Sequence, residues 1–287
     1  MRAKISDYFS LVKFSHTIFA MPFALLSYTC AIMLTDCAFD WVVLIKMILC
    51  MVFARNVAMG FNRYIDRDVD AKNPRTASRE IPAGVISPKV ALRLIVINGI
   101  LFFLTASSIN MLTACLSPVA LGVLIFYSYC KRFTAFSHLV LGLSLGIAPV
   151  GAWIAVTGSF ALVPCILSLV VIFWCAGFDV IYALQDRDFD IKNGLHSIPA
   201  SFSVRTSLLI SIVMHMISVA SIVWFAVEIS GGVLLWLGVV LFACILASEH
   251  IIVTPKRQLN IPIAFGTFNA MASVELALLA MADILFF

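Results

Sequence analysis

The chain has 287 residues, of which 62% are hydrophobic and only 12% charged, with a formal net charge of +4 and a mean hydropathy of +1.07. A soluble domain carries about a quarter of its residues charged, so a soluble enzyme is excluded, and no nucleic-acid partner is expected. What remains is an all-α, polytopic membrane protein whose apolar runs cross a hydrocarbon core of roughly 30 Å as helices.

Nine spans are expected, in chain order at 14–35, 40–61, 89–107, 110–129, 137–156, 162–183, 206–228, 231–252 and 261–285. The connections alternate in charge. The N-terminus (Arg2, Lys4, Lys13), 62–88, 130–136, 184–205 and 253–260 carry Lys and Arg, whereas 36–39, 108–109, 157–161 and 229–230 carry neither. Because Lys and Arg are retained on the cytoplasmic side, the basic connections and the N-terminus are placed inside and the C-terminus outside. The first apolar stretch is too long for a signal core and lacks a small-residue cleavage site, so it is expected to be the first span. The eight cysteines lie mostly within spans, with no metal-ligand spacing, and are read as small apolar filling. One membrane domain over 1–287 is expected.

The most polar octapeptide of this apolar chain occurs twice. "DRDVDAKN" occupies 66–73 and "DRDFDIKN" occupies 186–193, and each is soon followed by "IPA", at 81–83 and 198–200. Such a repeat implies an internal pseudo-repeat, each half presenting acids at a cytoplasmic span end. Asn62, Asp66 and Asp70 fall at i, i+4 and i+8, which lines them along one helix face. Asp186 and Asp190 keep the same spacing, with Tyr182 in the place of Asn62 and Asp179 one turn upstream. If the halves pack with pseudo-symmetry, the two acidic stretches face each other at one mouth of the bundle. Asp68 and Asp188 lie off the acidic face and are read as surface residues or salt-bridge partners.

Carboxylates gathered at a low-dielectric mouth repel one another unless cations intervene. An oxygen-only set suits Mg2+, which takes one or two carboxylates, retained waters and substrate phosphate oxygens. Asn62 adds a neutral carbonyl ligand. The nearby basic residues Arg63, Arg75, Arg79, Lys131 and Arg132 then complete a clamp for a diphosphate. A transporter also carries internal repeats and intramembrane charges. Here, though, the acids gather at one face rather than at the midplane, and they come with a phosphate-suited basic set. A phosphatidyltransferase of the membrane type would need a D-G-x-x-A-R-bearing motif, which is absent.

The pattern N-x-x-x-D-x-x-x-D at 62–70, with D-x-x-Y-x-x-x-D-x-x-x-D at 179–190, resembles the UbiA superfamily of intramembrane aromatic prenyltransferases. "NPRTASREIPAG" (73–84), "YSYCKRFT" (127–134) and "HTIFAMPFA" (16–24) are similar to its bacterial quinone-pathway members, and the likeness covers essentially the whole chain. Many members carry Asn-Asp at the first motif, where this chain has Asn62-Arg63. The resemblance implies a polyprenyl diphosphate held through Mg2+ at both motifs, its tail lying among helices open to lipid. It implies loss of diphosphate and attack by the resulting allylic cation on an aromatic acid beside its hydroxyl. The acceptor is of the 4-hydroxybenzoate type for ubiquinone, or 1,4-dihydroxy-6-naphthoate for menaquinone. It also implies a bacterial inner-membrane location with the site facing the cytoplasm.

Four further residues stand out. Arg55 lies two turns deeper than Asn62, where an arginine is costly unless it faces a cavity or partner; it is assigned to the acceptor's carboxylate or else to the diphosphate, with structural pairing to an acid such as Asp179 as the further alternative. His16 is assigned to acceptor contact. Asp179 and Tyr182 are assigned to proton removal or to positioning beside the metal. His215, Glu275, Asn98 and Asn269 are read as interhelical hydrogen-bonding residues, and Lys46 as a snorkelling surface lysine.

A cysteine introduced at position 72 or 192 of a cysteine-free chain is expected to react with a membrane-impermeant thiol reagent only from the cytoplasmic side; labelling from outside intact cells would reverse the topology.

Overall fold

The computed structural model describes residues 8, 10, 11, 19–255 and 257–286. Among these the chain is helical. α1 is Met21–Met33, α2 Trp41–Ile65, α3 the single turn Arg67–Asp70, α4 Pro88–Ser107, α5 Met111–Cys130, α6 Ser137–Thr157 and α7 Leu162–Ala183. They are followed by α8 at Arg187–Lys192, the short α9 at Ile198–Ser201, α10 at Val204–Glu228, α11 at Val233–Ile252, α12 at Ile261–Ile263 and α13 at Asn269–Phe286. Among the described residues eight helices are long and apolar enough to cross a membrane, and α1 is a shorter apolar helix. Residues 14–18 of the expected first span lie outside the described residues.

Helix starts follow simple chemistry. Ser87, Ser197 and Ser203 each accept an N–H from the first turn of α4, α9 and α10, and Pro88 and Pro199 occupy first-turn positions that need no donor. The start of α11 is capped from another helix: the buried Asp283 of α13 accepts from the N–H groups of Gly232 (2.6 Å) and Leu234 (3.0 Å). In an apolar medium such donors must be met by protein, and a carboxylate also suits the positive end of the helix dipole.

The chain divides into two compact units, and each contains one octapeptide. The first includes 42–129. There Asn56 of α2 donates to Asn98 of α4 at 2.8 Å, and Lys46 reaches the Ser108 carbonyl at 2.7 Å. Gly60 faces Ile95, and the rings of Phe61 and Tyr129 sit 5.8 Å apart.

The second unit includes 18–41 and 130–287. α7 runs through its middle, packed on α6 and α10, and its core is built on Trp174, Phe178, Phe23, Phe225 and Phe242. The Trp174 indole N–H donates to Asn269 at 2.6 Å, and the Asn269 amide donates to the Ala264 carbonyl in a π turn over Ala264–Phe268. This turn presents Phe265 to Tyr182, with ring centroids 4.1 Å apart. His215 and His250 bond across α10 and α11 at 3.0 Å. The eight cysteines are free; Cys30, Cys130 and Cys175 are buried, whereas Cys115, Cys165 and Cys244 are exposed.

α6 and α7 approach closely because Gly142 and Gly146 sit four apart on α6, the small-residue spacing that lets membrane helices touch backbone to backbone. A Cβ at Gly142 would collide with the Ile172 carbonyl, whereas one at Gly151 of the same helix meets nothing within 4 Å. Gly142→Ala is therefore expected to destabilise by about 1–3 kcal/mol, read as a lower thermal-inactivation midpoint in detergent. Gly151→Ala should leave that midpoint in place or raise it, and equal shifts would contradict the packing.

Candidate active site

Both octapeptides begin where a long helix breaks. α2 ends at Ile65, Asp66 steps out at φ −91, ψ 1, and α3 resumes at Arg67. α7 ends at Ala183, a 3-10 turn covers Leu184–Asp186, Asp186 steps out at φ −102, ψ 2, and α8 resumes at Arg187. The two Asp residues thus adopt nearly the same backbone geometry. The continuous helix expected over 62–70 is corrected at this point: it is interrupted at Asp66. The one-turn spacing nevertheless survives, because the Asp66 N–H bonds to Asn62 O at 3.0 Å and the Asp70 N–H to Asp66 O at 2.7 Å.

In the first unit, Asn62 Nδ2 lies 3.1 Å from Asp66 Oδ2. Asp70 is buried, and Arg79 Nη1 meets both of its oxygens at 2.9 and 2.8 Å. The loop that returns Arg79 is itself tied to this corner, since the buried Thr76 donates to the Asp70 carbonyl at 3.0 Å. Arg63, assigned from the sequence to the diphosphate, is buried and donates to Glu80 at 3.0 Å, and Ser10 also donates to Glu80. Arg75 is exposed, its N–H held by Asn73 in a turn. Arg55 is half-buried on α2.

In the second unit, Asp186 and Asp190 are both buried. Asp190 accepts from Ser197 Oγ at 3.0 Å. The basic segment 130–136 is pinned beside this corner by the His196 N–H, which bonds to the Lys131 carbonyl at 2.7 Å. Lys131 is half-buried, whereas Arg132 is exposed. Asp179, buried one turn before Tyr182, meets His138 Nδ1 at 2.7 Å. The acid held in reserve as a partner for Arg55 therefore has an imidazole. His16 and its assigned contact lie outside the described residues.

The two copies secure their second acid alike. In each, a side chain within two residues before Ile-Pro-Ala reaches back, Arg79 to Asp70 and Ser197 to Asp190. The central acids behave differently, as expected: the side chains of Asp68 and Asp188 are 81% and 97% exposed, and each pairs with the adjacent Arg67 or Arg187.

The donor set fits Mg2+. Every candidate ligand is an oxygen, and the acids come as one-turn pairs. That arrangement suits an ion that takes one or two carboxylates and completes its shell with water and phosphate oxygens; it does not suit zinc, which is enclosed by nitrogen and sulfur.

Sequence reasoning missed His138, Ser197, Glu80 and Thr76. A histidine inside a membrane span is an available signal, and Ser before Ile-Pro has the form of a helix cap. Glu80 offered only its adjacency to the Ile-Pro-Ala segment.

A model of the UbiA prenyltransferase family matches residues 20–274, running through both octapeptides. The chain is 34% identical to 4-hydroxybenzoate octaprenyltransferase of Vibrio atlanticus (strain LGP32) over 158 residues, 55% of this chain and 56% of that one, so the match spans a little over half of this curated relative. A solved UbiA homolog from Aeropyrum pernix K1 superposes with a TM-score of 0.79 at 29% identity, covering 94% of this chain and 96% of that one. A UbiA homolog from Archaeoglobus fulgidus bound to DMAPP and Mg2+ shares the fold, with a TM-score of 0.70 at 18% identity over 93% of this chain and 99% of that one.

Proposed function

The chain belongs to the UbiA prenyltransferase family, and from that premise we propose that it transfers a polyprenyl group, with Mg2+, from a polyprenyl diphosphate to a hydroxylated aromatic acid of the 4-hydroxybenzoate type. The supporting observation is the repeated corner: two helix breaks of nearly identical backbone geometry, each with a one-turn pair of acids whose second member is held by a side chain from just before Ile-Pro-Ala. Similarity to a 4-hydroxybenzoate octaprenyltransferase supports the acceptor class. A transporter reading has no such support, because the paired acids sit where the long helices break, not at mid-span.

Asn62, Asp66 and Asp70 would hold the metal in one unit, and Asp186 and Asp190 in the other. Bound there, Mg2+ supplies positive charge to the diphosphate oxygens as negative charge grows on them. Arg75 and Arg79 in the first unit, and Lys131 and Arg132 in the second, are assigned to diphosphate oxygens. Arg63 serves them indirectly, by holding Glu80 and with it the loop that carries Arg79. The bond between the allylic carbon and the diphosphate oxygen breaks, and its electron pair leaves with the diphosphate. A ring carbon beside the hydroxyl forms the new bond, and its proton is lost. Arg55 and His16 are assigned to the acceptor, with Arg55 fitted to its carboxylate by a planar fork that gives two charge-assisted bonds. Asp179 and Tyr182 stand next to the second acid pair in sequence, Asp179 as proton acceptor or as support for the pair. The apolar helices exclude water that would quench the cation. The same reading places the protein in a bacterial inner membrane with both corners facing the cytoplasm.

The test is product identification. Membranes containing the protein are incubated with Mg2+, a labelled polyprenyl diphosphate and either 4-hydroxybenzoate or 1,4-dihydroxy-6-naphthoate, and the lipid extract is analysed by mass spectrometry. Prenylated 4-hydroxybenzoate is expected. Product from the naphthoate alone would move the enzyme to menaquinone synthesis, and product from neither would refute the reading. Alanine at Asp66, Asp70, Asp186 or Asp190 should each lower turnover about 100-fold or more, the scale on which electrostatic stabilisers are lost. Alanine at the exposed Asp68 or Asp188 should cost little. Equal losses at all six acids would reduce the motifs to a general negative field.

A further inference from the structure

His138 is completely buried on α6 and bonds at both ring nitrogens. Nε2 accepts from the backbone N–H of Ile198 at 3.3 Å, and Nδ1 lies 2.7 Å from Asp179 Oδ2. A backbone N–H can only donate, so Nε2 carries no proton, and the neutral ring must carry its proton on Nδ1 and donate it to the carboxylate. One imidazole thereby connects a membrane-helix acid to the first residue of α9. The same short turn holds the metal-motif acid, since Ser197, the neighbour of Ile198, donates to Asp190 and accepts the Ala200 N–H.

The connection belongs to one copy of the repeat. At the spacing of 120 that maps Asp66 onto Asp186, Asp179 corresponds to Met59 and Tyr182 to Asn62. The second copy thus carries an additional acid, and this acid rather than the paired ones is served by the histidine. A structural hydrogen bond alone could have been made by a serine or threonine reaching a carbonyl of its own helix, as Ser144 on α6 does. The bidirectional ring instead fixes the orientation of two separate groups.

We propose that His138 is a positioning residue for prenyl transfer: through Nδ1 it orients Asp179 for its part in the reaction, and through Nε2 it sets the turn whose Ser197 holds Asp190 for the metal. The inference rests on the roles proposed above for Asp179 and Asp190. It predicts that the two functions separate, because the ring's two nitrogens can be replaced one at a time. His138→Asn places an amide N–H near the position of Nδ1, keeping a donor for Asp179 and losing the acceptor for Ile198. His138→Gln places an amide oxygen near Nε2, keeping the acceptor for Ile198 and losing the donor. His138→Leu fills the space and supplies neither.

Two readings are taken on each full-length variant in detergent: Mn2+ binding followed by electron paramagnetic resonance, without substrate, and kcat for prenyl transfer at saturating metal. His138→Asn is expected to bind Mn2+ about 10-fold more weakly while holding kcat within about 3-fold. His138→Gln should bind Mn2+ as the wild type does while losing 10-fold or more in kcat, and His138→Leu should lose on both. Parallel losses in both readings for Asn and Gln, or no loss in either, overturn the proposal. Failure of all three variants to accumulate as folded protein also overturns it, because His138 is then a packing residue. A wild-type protein that binds Mn2+ but prenylates no acceptor contradicts the earlier functional reading and not this one, which the separation in Mn2+ binding between Asn and Gln then still decides.

Discussion

An ionised carboxylate at or inside a membrane helix must be met by a donor, a positive charge or a cation, because the surrounding hydrocarbon offers none. Much of the organisation around the site follows from that constraint. Asp70 is met by Arg79, Asp179 by His138, Asp190 by Ser197 with Lys131 nearby, and Asp283 by the free N–H groups that open α11. Each solution ties a distant segment to a helix end, so satisfying the acid also folds the connection. The loop from Thr76 to Glu80 is drawn in by Asp70 and Arg63, and the turn from Leu195 to Ile198 by Asp190 and His138. Breaking one of these pairs leaves a buried charge uncompensated, which costs far more than an exposed pair such as Arg187–Asp188 contributes.

The same constraint bears on the proposed chemistry. Acids held in place by nearby donors need little reorganisation when a divalent cation and a diphosphate arrive, and preorganised charge is the main route by which such sites lower a barrier. Two basic groups found beside the acids, Arg79 and Lys131, are among those assigned to the diphosphate. In the proposed reaction their charge is shared between carboxylate and leaving group. The close passage of α6 along α7 places His138 within reach of Asp179, so the glycine spacing in the span and the order of the site belong to one packing arrangement.

Much of this was legible in the chain. Hydropathy located the long helices to within a few residues, because a run of twenty apolar residues has few alternatives in water or lipid. The repeat marked the two helix breaks that carry the candidate site, since Asp66 and Asp186 stand out against an apolar background. The helix break at each was not legible: i, i+4 spacing is satisfied equally by a continuous helix and by one that steps out for a residue and resumes. Nor were the cross-chain partners. His138 is 41 residues from Asp179, and nothing in a single sequence pairs them. Arg63 illustrates the converse, a basic residue beside a phosphate-suited motif that folding commits to Glu80.

In the proposed function the paired acids of both octapeptides are metal ligands that meet a diphosphate. Anomalous diffraction from crystals grown with Mn2+ and an unreactive polyprenyl diphosphate analogue tests it most directly. Mn2+ peaks are expected within bonding distance of carboxylate oxygens of Asp66 or Asp70, and of Asp186 or Asp190, with diphosphate oxygens completing the shells. Metal bound elsewhere, or a diphosphate held by basic side chains with no metal at either acid pair, would contradict it.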